Sequence, residues 1–446
     1  MSSPRRILFL THCEQGQSNI HLAVAFELHS RAIPGLEVHL ASFSELRKRF
    51  ERMRGAFGGI ARMIPAGASI RHPPTHKFWR MFGDYMAPWT PEEYMSIVDE
   101  AVAVIERVNP HVILIDTLFS QGMDACNLLR RPYHVLNPLL PSLVCYQNQS
   151  LGDRLFRYPM MGTGMSYPVP LSQIPMNLIH FLARIYHGVK SKQVSSINAA
   201  RAARGLRGPY PSFECMLVSP ERTYITPGMR EVDVPFSQPS TLQLCGPISA
   251  DFVPIRDSDP ELAAWLDRGE TPLARRVLKG LLAGGGAETQ ILWKVPNRHE
   301  LGALFDEVLT TAHDRERVRV VTWFDAEPAA ILAHENVVCY VHHGGANSYY
   351  ECTLAGKPHV VLAQWADTYY NAVAAEYAGV GVYGNKTCAP DVCAPELSMA
   401  LIRATSGDEG ARMRERARQV AVKCCEAGGR KRAADIVVSL LGVKFA

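Results

Sequence analysis

Long apolar runs are missing from this 446-residue sequence: none approaches the length that spans a bilayer, so no integral membrane segment is expected. The run Ile7–Leu10, closed by Thr11 and His12, is too short for the core of a secretory signal. Excess charge is missing too. With 47 Lys and Arg against 43 Asp and Glu the formal charge is +4, which gives no reason to expect nucleic acid as a partner. The eleven cysteines, an odd number, include no C-x-x-C pair, so reduced and mostly buried thiols are the expectation. Low-complexity segments are absent. A D-x-D triplet occurs at Asp257-Ser258-Asp259, but Pro260 and a helical pattern follow it; Asp259 reads as a helix cap and no metal site is predicted.

What is present describes a globular α/β protein of two domains: 47% of residues are hydrophobic, 20% are charged, and the length exceeds one ordinary core. The first half repeats strand, helix and strand. Strands are predicted at Arg6–Thr11, Leu36–Ser42 and Val112–Ile115, the last ending in Asp116, with helices at Ile20–Arg31 and from about Pro91 to Val108. This order predicts a parallel, doubly wound sheet with its working loops at the C-terminal strand ends. Asp116 reads either as a strand-end cap or as a member of such a site. Two irregular stretches follow the pattern poorly. One carries Phe78, Trp79, Phe82 and Tyr85 and the other spans Tyr158–Leu178; they would wall an apolar pocket or simply pack as loops. Ile174–Val189 has helical amphipathicity and could be drawn as an interfacial helix, but is expected to pack on its own domain.

The densest information lies in the fifty residues from Trp323 to Ala372. A β-branched run at Val337–Val341 leads into His343-Gly344-Gly345, after which Asn347 or Ser348 is expected to cap a helix with Glu351 in its first turn. A helix start after glycines is an anion site, because its free N–H groups and its dipole favour negative charge. A strand at His359–Ala363 and a polar loop at Gln364–Asp367 follow. A plain strand–turn–helix unit accounts for any one of these residues. It does not account for His343, Asn347, Ser348, Glu351, Asp367 and Asn371 together in this order.

This segment resembles the donor-binding signature of family 1 UDP-glycosyltransferases of soluble fungal or plant type, written roughly W-x-P-Q…H-x-G-x-N-S-x-x-E…G-x-P…D-Q-x-x-N-A. The resemblance implies the GT-B fold, two Rossmann-like domains facing across a cleft, drawn here as residues 1–245, 246–425 and a returning helix at 426–446. It implies that Trp323 stacks on uracil, that His343, Gly345, Asn347 and Ser348 hold the diphosphate, that Glu351 binds the ribose, and that Asp367 and Thr368 face the sugar. Thr368 stands where the family has Gln, and Trp323-Phe324-Asp325-Ala326 stands for W-x-P-Q. The implied chemistry is an inverting transfer of a hexose, glucose first, from a UDP-sugar to a small lipophilic acceptor in the cytoplasm, with no cofactor and no metal. The family's catalytic His falls on Gln15, leaving His12 as the replacement base, His21 behind it, and Asp116 as the orienting carboxylate. No strand pattern occurs between Asp267 and Gly284, where the family has a strand and a phosphate loop. A non-catalytic nucleotide-sugar binder and a nucleotide-sugar epimerase therefore stay open beside the transferase.

Overall fold

The computed structural model describes residues 4–46, 86–214, 216–250, 254–262, 282, 289–294, 305 and 308–442. Two sequence-based expectations lie outside them: the aromatics Phe78, Trp79, Phe82 and Tyr85, and, apart from Leu282, the stretch between Asp267 and Gly284 in which no strand is predicted. The chain divides into two compact units, Met1–Ala250 with Ala427–Ala446, and Asp251–Glu426.

The first unit is built on six parallel strands, β1 (Arg5–Leu10), β2 (Leu36–Ala41), β3 (Val112–Asp116), β4 (His134–Leu136), β5 (Tyr224–Thr226) and β6 (Leu242–Leu244), in the order β2-β1-β3-β4-β5-β6. Both faces of the sheet are covered. Leu8, Leu10, Ile113 and Ile115 enter one core, while Ile7, Phe9, Val112 and Leu114 enter the other, as the two-residue period of a doubly covered strand requires. Helices α1 (Gln15–Ser30), α2 (Pro91–Val108), α3 (Ser120–Leu128), α4 (Leu151–Phe156), α5 (Ile174–Lys190) and α6 (Lys192–Ala203) belong to this part. α2 starts as its sequence dictates: Thr90 and Glu93 form a reciprocal capping box, and Pro91 takes the first turn. α1 begins five residues before its expected start, because Glu14 takes the N-cap position and Gly16 is drawn into the helix. The strand order reverses between β1 and β3. Their C-terminal ends, carrying His12 and Asp116, thus form the switch point where doubly wound sheets place ligands.

In the second unit β7 (Ile291–Lys294) pairs with β8 (Val318–Val321), and β9 (Tyr340–His342), β10 (His359–Val361) and β11 (Gly381–Tyr383) form a parallel sheet in the order β11-β10-β9. Helices α7 (Ala346–Leu354), α8 (Ala366–Ala378), α9 (Ala394–Thr405) and α10 (Gly407–Glu426) follow these strands. β9 is displaced from the expected Val337–Val341: Val337 is instead buried against Ile331 and Leu332, and Val338 is exposed. Asp259 accepts from Leu262 N–H at 2.9 Å, the cap expected of it. The last helix, α11 (Gly429–Ser439), belongs to the first unit. Gly428 and Gly429 both have positive φ, and Gly429 N–H donates to Cys245 O at 2.7 Å. Ion pairs of Arg430 with Glu27 and Asp435 with Arg31 then fasten α11 to α1.

Candidate active site

The turn after β9 is defined by its two glycines. Gly344 has φ +86°, and a Cβ there would lie 2.8 Å from Val361 Cγ1 and 3.0 Å from the Thr368 carbonyl, so a side chain has neither the conformation nor the room. Gly345 is the N-cap of α7, and a Cβ on it would collide with His343 Nε2. The imidazole of His343 therefore lies over the start of the helix, with the Trp365 ring 5.0 Å away. Because Gly344 turns the chain early, Asn347 and Ser348 are the second and third residues of α7 and not its caps, and Glu351 sits in the second turn. Both placements correct the sequence-based expectation. His343, Gly345, Asn347, Ser348 and Glu351 are all half-buried around the first turns of this helix. Its leading N–H groups lack an intrahelical acceptor, which makes the place suited to a diphosphate.

A buried run of hydrogen bonds holds the turn from below. Gly344 N–H donates to His342 Nδ1 at 3.1 Å, which leaves the His342 proton on Nε2, 3.1 Å from His359 Nδ1. His359 Nε2 in turn faces Thr353 Oγ1 at 3.4 Å, whose hydroxyl donates to Tyr349 O at 2.8 Å. Each link fixes the tautomer of the next. Burial lowers His359 to about 3 and His342 well below its ordinary value, so both rings are neutral. From the other side Asn371 Nδ2 donates to Gly344 O at 2.7 Å. Sequence reasoning missed His342 and His359. The available signal was a histidine closing one parallel strand and another opening its neighbour.

Three further residues expected on the donor side have defined places. Thr368 is fully buried, and its Oγ1 accepts from the N–H groups of Gln364 and Trp365, each at 3.0 Å, while donating to Trp365 O. It closes the first turn of α8, which corrects its assignment to the sugar. Asp367 beside it is half-buried, and loss of hydration pushes its carboxyl up to about 6. Trp323 follows β8 with 57% of its surface exposed, and the Lys294 ammonium lies 4.2 Å from its ring centroid.

At the switch point of the first unit, Asp116 Oδ2 accepts the main-chain N–H of His12 at 3.3 Å and Oδ1 accepts Leu118 N–H at 3.0 Å. The expected contact between this carboxylate and the imidazole is thus replaced by one to the backbone, because the carboxylate closes the strand end. His12 Nδ1 accepts Glu14 N–H at 3.3 Å, and its Nε2, beside Phe43 and Trp89, has no hydrogen-bond partner among the described residues. Burial lowers His12 to about 4 and raises Asp116 to about 7. Gln15 is the exposed first residue of α1. His21 is wholly buried, with Nε2 against Leu136 O at 3.1 Å, and serves the packing.

Two parallel α/β units, the second opening a helix from a glycine-framed turn, define a protein of the GT-B fold. No family model matches the chain. It is 30% identical to a glycosyltransferase of Sordaria araneosa, sdnJ, over 503 aligned positions covering 97% of both proteins. With the UDP-glycosyltransferase stmC of Aspergillus ustus it shares 26% identity over 72% of this chain and 63% of the relative. A UDP-glucose:anthocyanidin 3-O-glucosyltransferase solved with UDP superposes with a TM-score of 0.67 at 14% identity, over 99% of this chain and all of the other. The chain belongs to the family 1 UDP-glycosyltransferases, enzymes that use UDP-sugars as donors.

Proposed function

We propose that the enzyme transfers glucose from UDP-glucose, with inversion, to a hydroxyl of a small lipophilic alcohol or phenol in the cytoplasm. The acceptor oxygen attacks the anomeric carbon, the bond to the diphosphate breaks, and the acceptor's proton passes to the enzyme. The observation that carries this reading is the donor-side turn. His343 over Gly345 and the N-terminal N–H groups of α7 meet the charge of the departing UDP without requiring a metal ion. Asn347 and Ser348 contact the diphosphate, Glu351 the ribose, Trp323 the uracil and Asp367 the sugar.

His12 is assigned as the proton acceptor. Its Nε2 lies in an apolar environment formed by Phe43 and Trp89, and its low proton affinity keeps the ring neutral at pH 7. To take a proton at Nε2 the ring adopts the Nδ1–H tautomer, giving up Glu14 N–H and turning that proton toward Cys13 Sγ, 3.8 Å away. Asp116 fixes the turn that carries it. The pH profile of kcat/KM tests the assignment. A neutral imidazole is required, so activity should fall as pH drops through about 4; a fall near 7 would transfer the role to Asp116. Proton NMR of the glycoside reports inversion as a β-linked product. The second reading, a non-catalytic UDP-sugar binder, is favoured by the absence of an imidazole–carboxylate contact at His12. Tight UDP binding with no acceptor-dependent UDP release would identify it.

A further inference from the structure

Helix α5 is built inside out. Its one fully buried residue is polar: Asn177 Oδ1 accepts Met160 N–H at 2.8 Å, and Nδ2 donates to Tyr158 O at 3.0 Å and to Leu155 O at 3.3 Å. The large apolar side chains lie on the opposite side. Ile179, Leu182, Tyr186 and Val189, at the three- and four-residue spacing of a single stripe, are 56%, 63%, 59% and 72% exposed, and Leu171 just ahead of the helix is 86% exposed. A contiguous apolar stripe of this kind marks an interaction surface.

The charge around it indicates what covers it. From Arg154 to Phe213 the sequence holds eight Lys and Arg and no Asp or Glu. Three of the eight are taken by ion pairs, Arg157–Asp153, Arg201–Asp124 and Arg204–Asp99, whereas Lys190 and Lys192 are exposed and outside any ion pair among the described residues. Lys190 ends α5 and Lys192 opens α6, so two cations stand at the end of the apolar stripe. An exposed apolar stripe bordered by cations on a helix unable to span a bilayer has the make-up of an interfacial helix, its apolar side in the headgroup region and its cations on anionic lipid.

We propose that α5 docks the enzyme on an anionic membrane surface. The inference does not depend on which sugar or acceptor is used. It is tested by flotation of the full-length protein with vesicles of phosphatidylcholine alone and of phosphatidylcholine with phosphatidylserine, at low and high salt. Binding is expected to the phosphatidylserine vesicles and to weaken as salt rises. The triple variant Ile179→Ser, Leu182→Ser, Val189→Ser should lose it, and the double variant Lys190→Gln, Lys192→Gln should reduce it by about tenfold or more. Both variants should keep the wild-type circular dichroism and UDP affinity, because none of these residues belongs to the site described above. No flotation of the wild type overturns the proposal, as does flotation that neither variant alters. A wild-type dimer that dissociates in the serine variant, without vesicle binding, would give the surface to a second copy of the chain.

Discussion

The enzyme carries two strand–turn–helix units of the same kind, the turn after β1 and the turn after β9, and they solve the problem of entering a helix in opposite ways. After β9 a positive-φ glycine starts the helix at once, and buried side chains bond both backbone groups of Gly344. After β1 no glycine frames the turn. Glu14 stands at the N-cap with no side-chain bond to the helix, and Asp116 holds the backbone from the neighbouring strand. The first arrangement suits an anion, since it presents the positive end of a helix dipole. The second places the acid Glu14, its carboxyl raised by burial and by Glu45, at the helix start and turns His12 into an apolar environment. The proposed function assigns the first turn to phosphate and the second to a lipophilic acceptor.

If this contrast is right, the two turns break differently. The largest effect is expected from His12→Asn, which removes the proposed proton acceptor. Turnover should fall by about 10²–10⁴-fold with UDP affinity unchanged, measured by steady-state kinetics beside calorimetry. On the donor side, Gly344→Ala forces a side chain into a φ of +86° and against Val361. A strain of about 1–3 kcal/mol should weaken UDP binding by about five- to a hundredfold while the first unit is undisturbed. His359→Leu is aimed at the buried support alone. It strands the Nε2–H of His342 and should lower the unfolding free energy by about 1–3 kcal/mol in urea titration, with His359→Asn recovering part of the loss. The same pair sets a pH dependence. Both rings have depressed proton affinity in the folded chain, so the unfolded chain binds more protons below its value of 6.5, and their share of the stability declines as pH falls through that value.

The donor-side turn was legible in the sequence because its residues are consecutive and of restricted type: two glycines at a strand end, then Asn347, Ser348 and Glu351 at fixed spacing. The error lay in the cap, where Gly345 replaced the polar side chains expected, since the positive φ of Gly344 brings the helix forward. Thr368 was misread for a related reason. Its hydroxyl is spent on three partners within its own turn, a local competition that spacing does not reveal. The His342–His359 pair was illegible because it depends on which strands become neighbours and in which register. Likewise, α5 has the periodicity of a helix packed on a core. Only the structure shows that its apolar stripe faces outward and that the anchoring residue is Asn177.

The β9–α7 turn is the proposed UDP site, and calorimetric titration with UDP of the wild type and of Glu351→Ala and Asn347→Ala tests it directly. Binding by the wild type that is weakened at least tenfold in both variants, with the fold intact by circular dichroism, is the result expected. Equal affinity in all three proteins, or no UDP binding by the folded wild type, would contradict it.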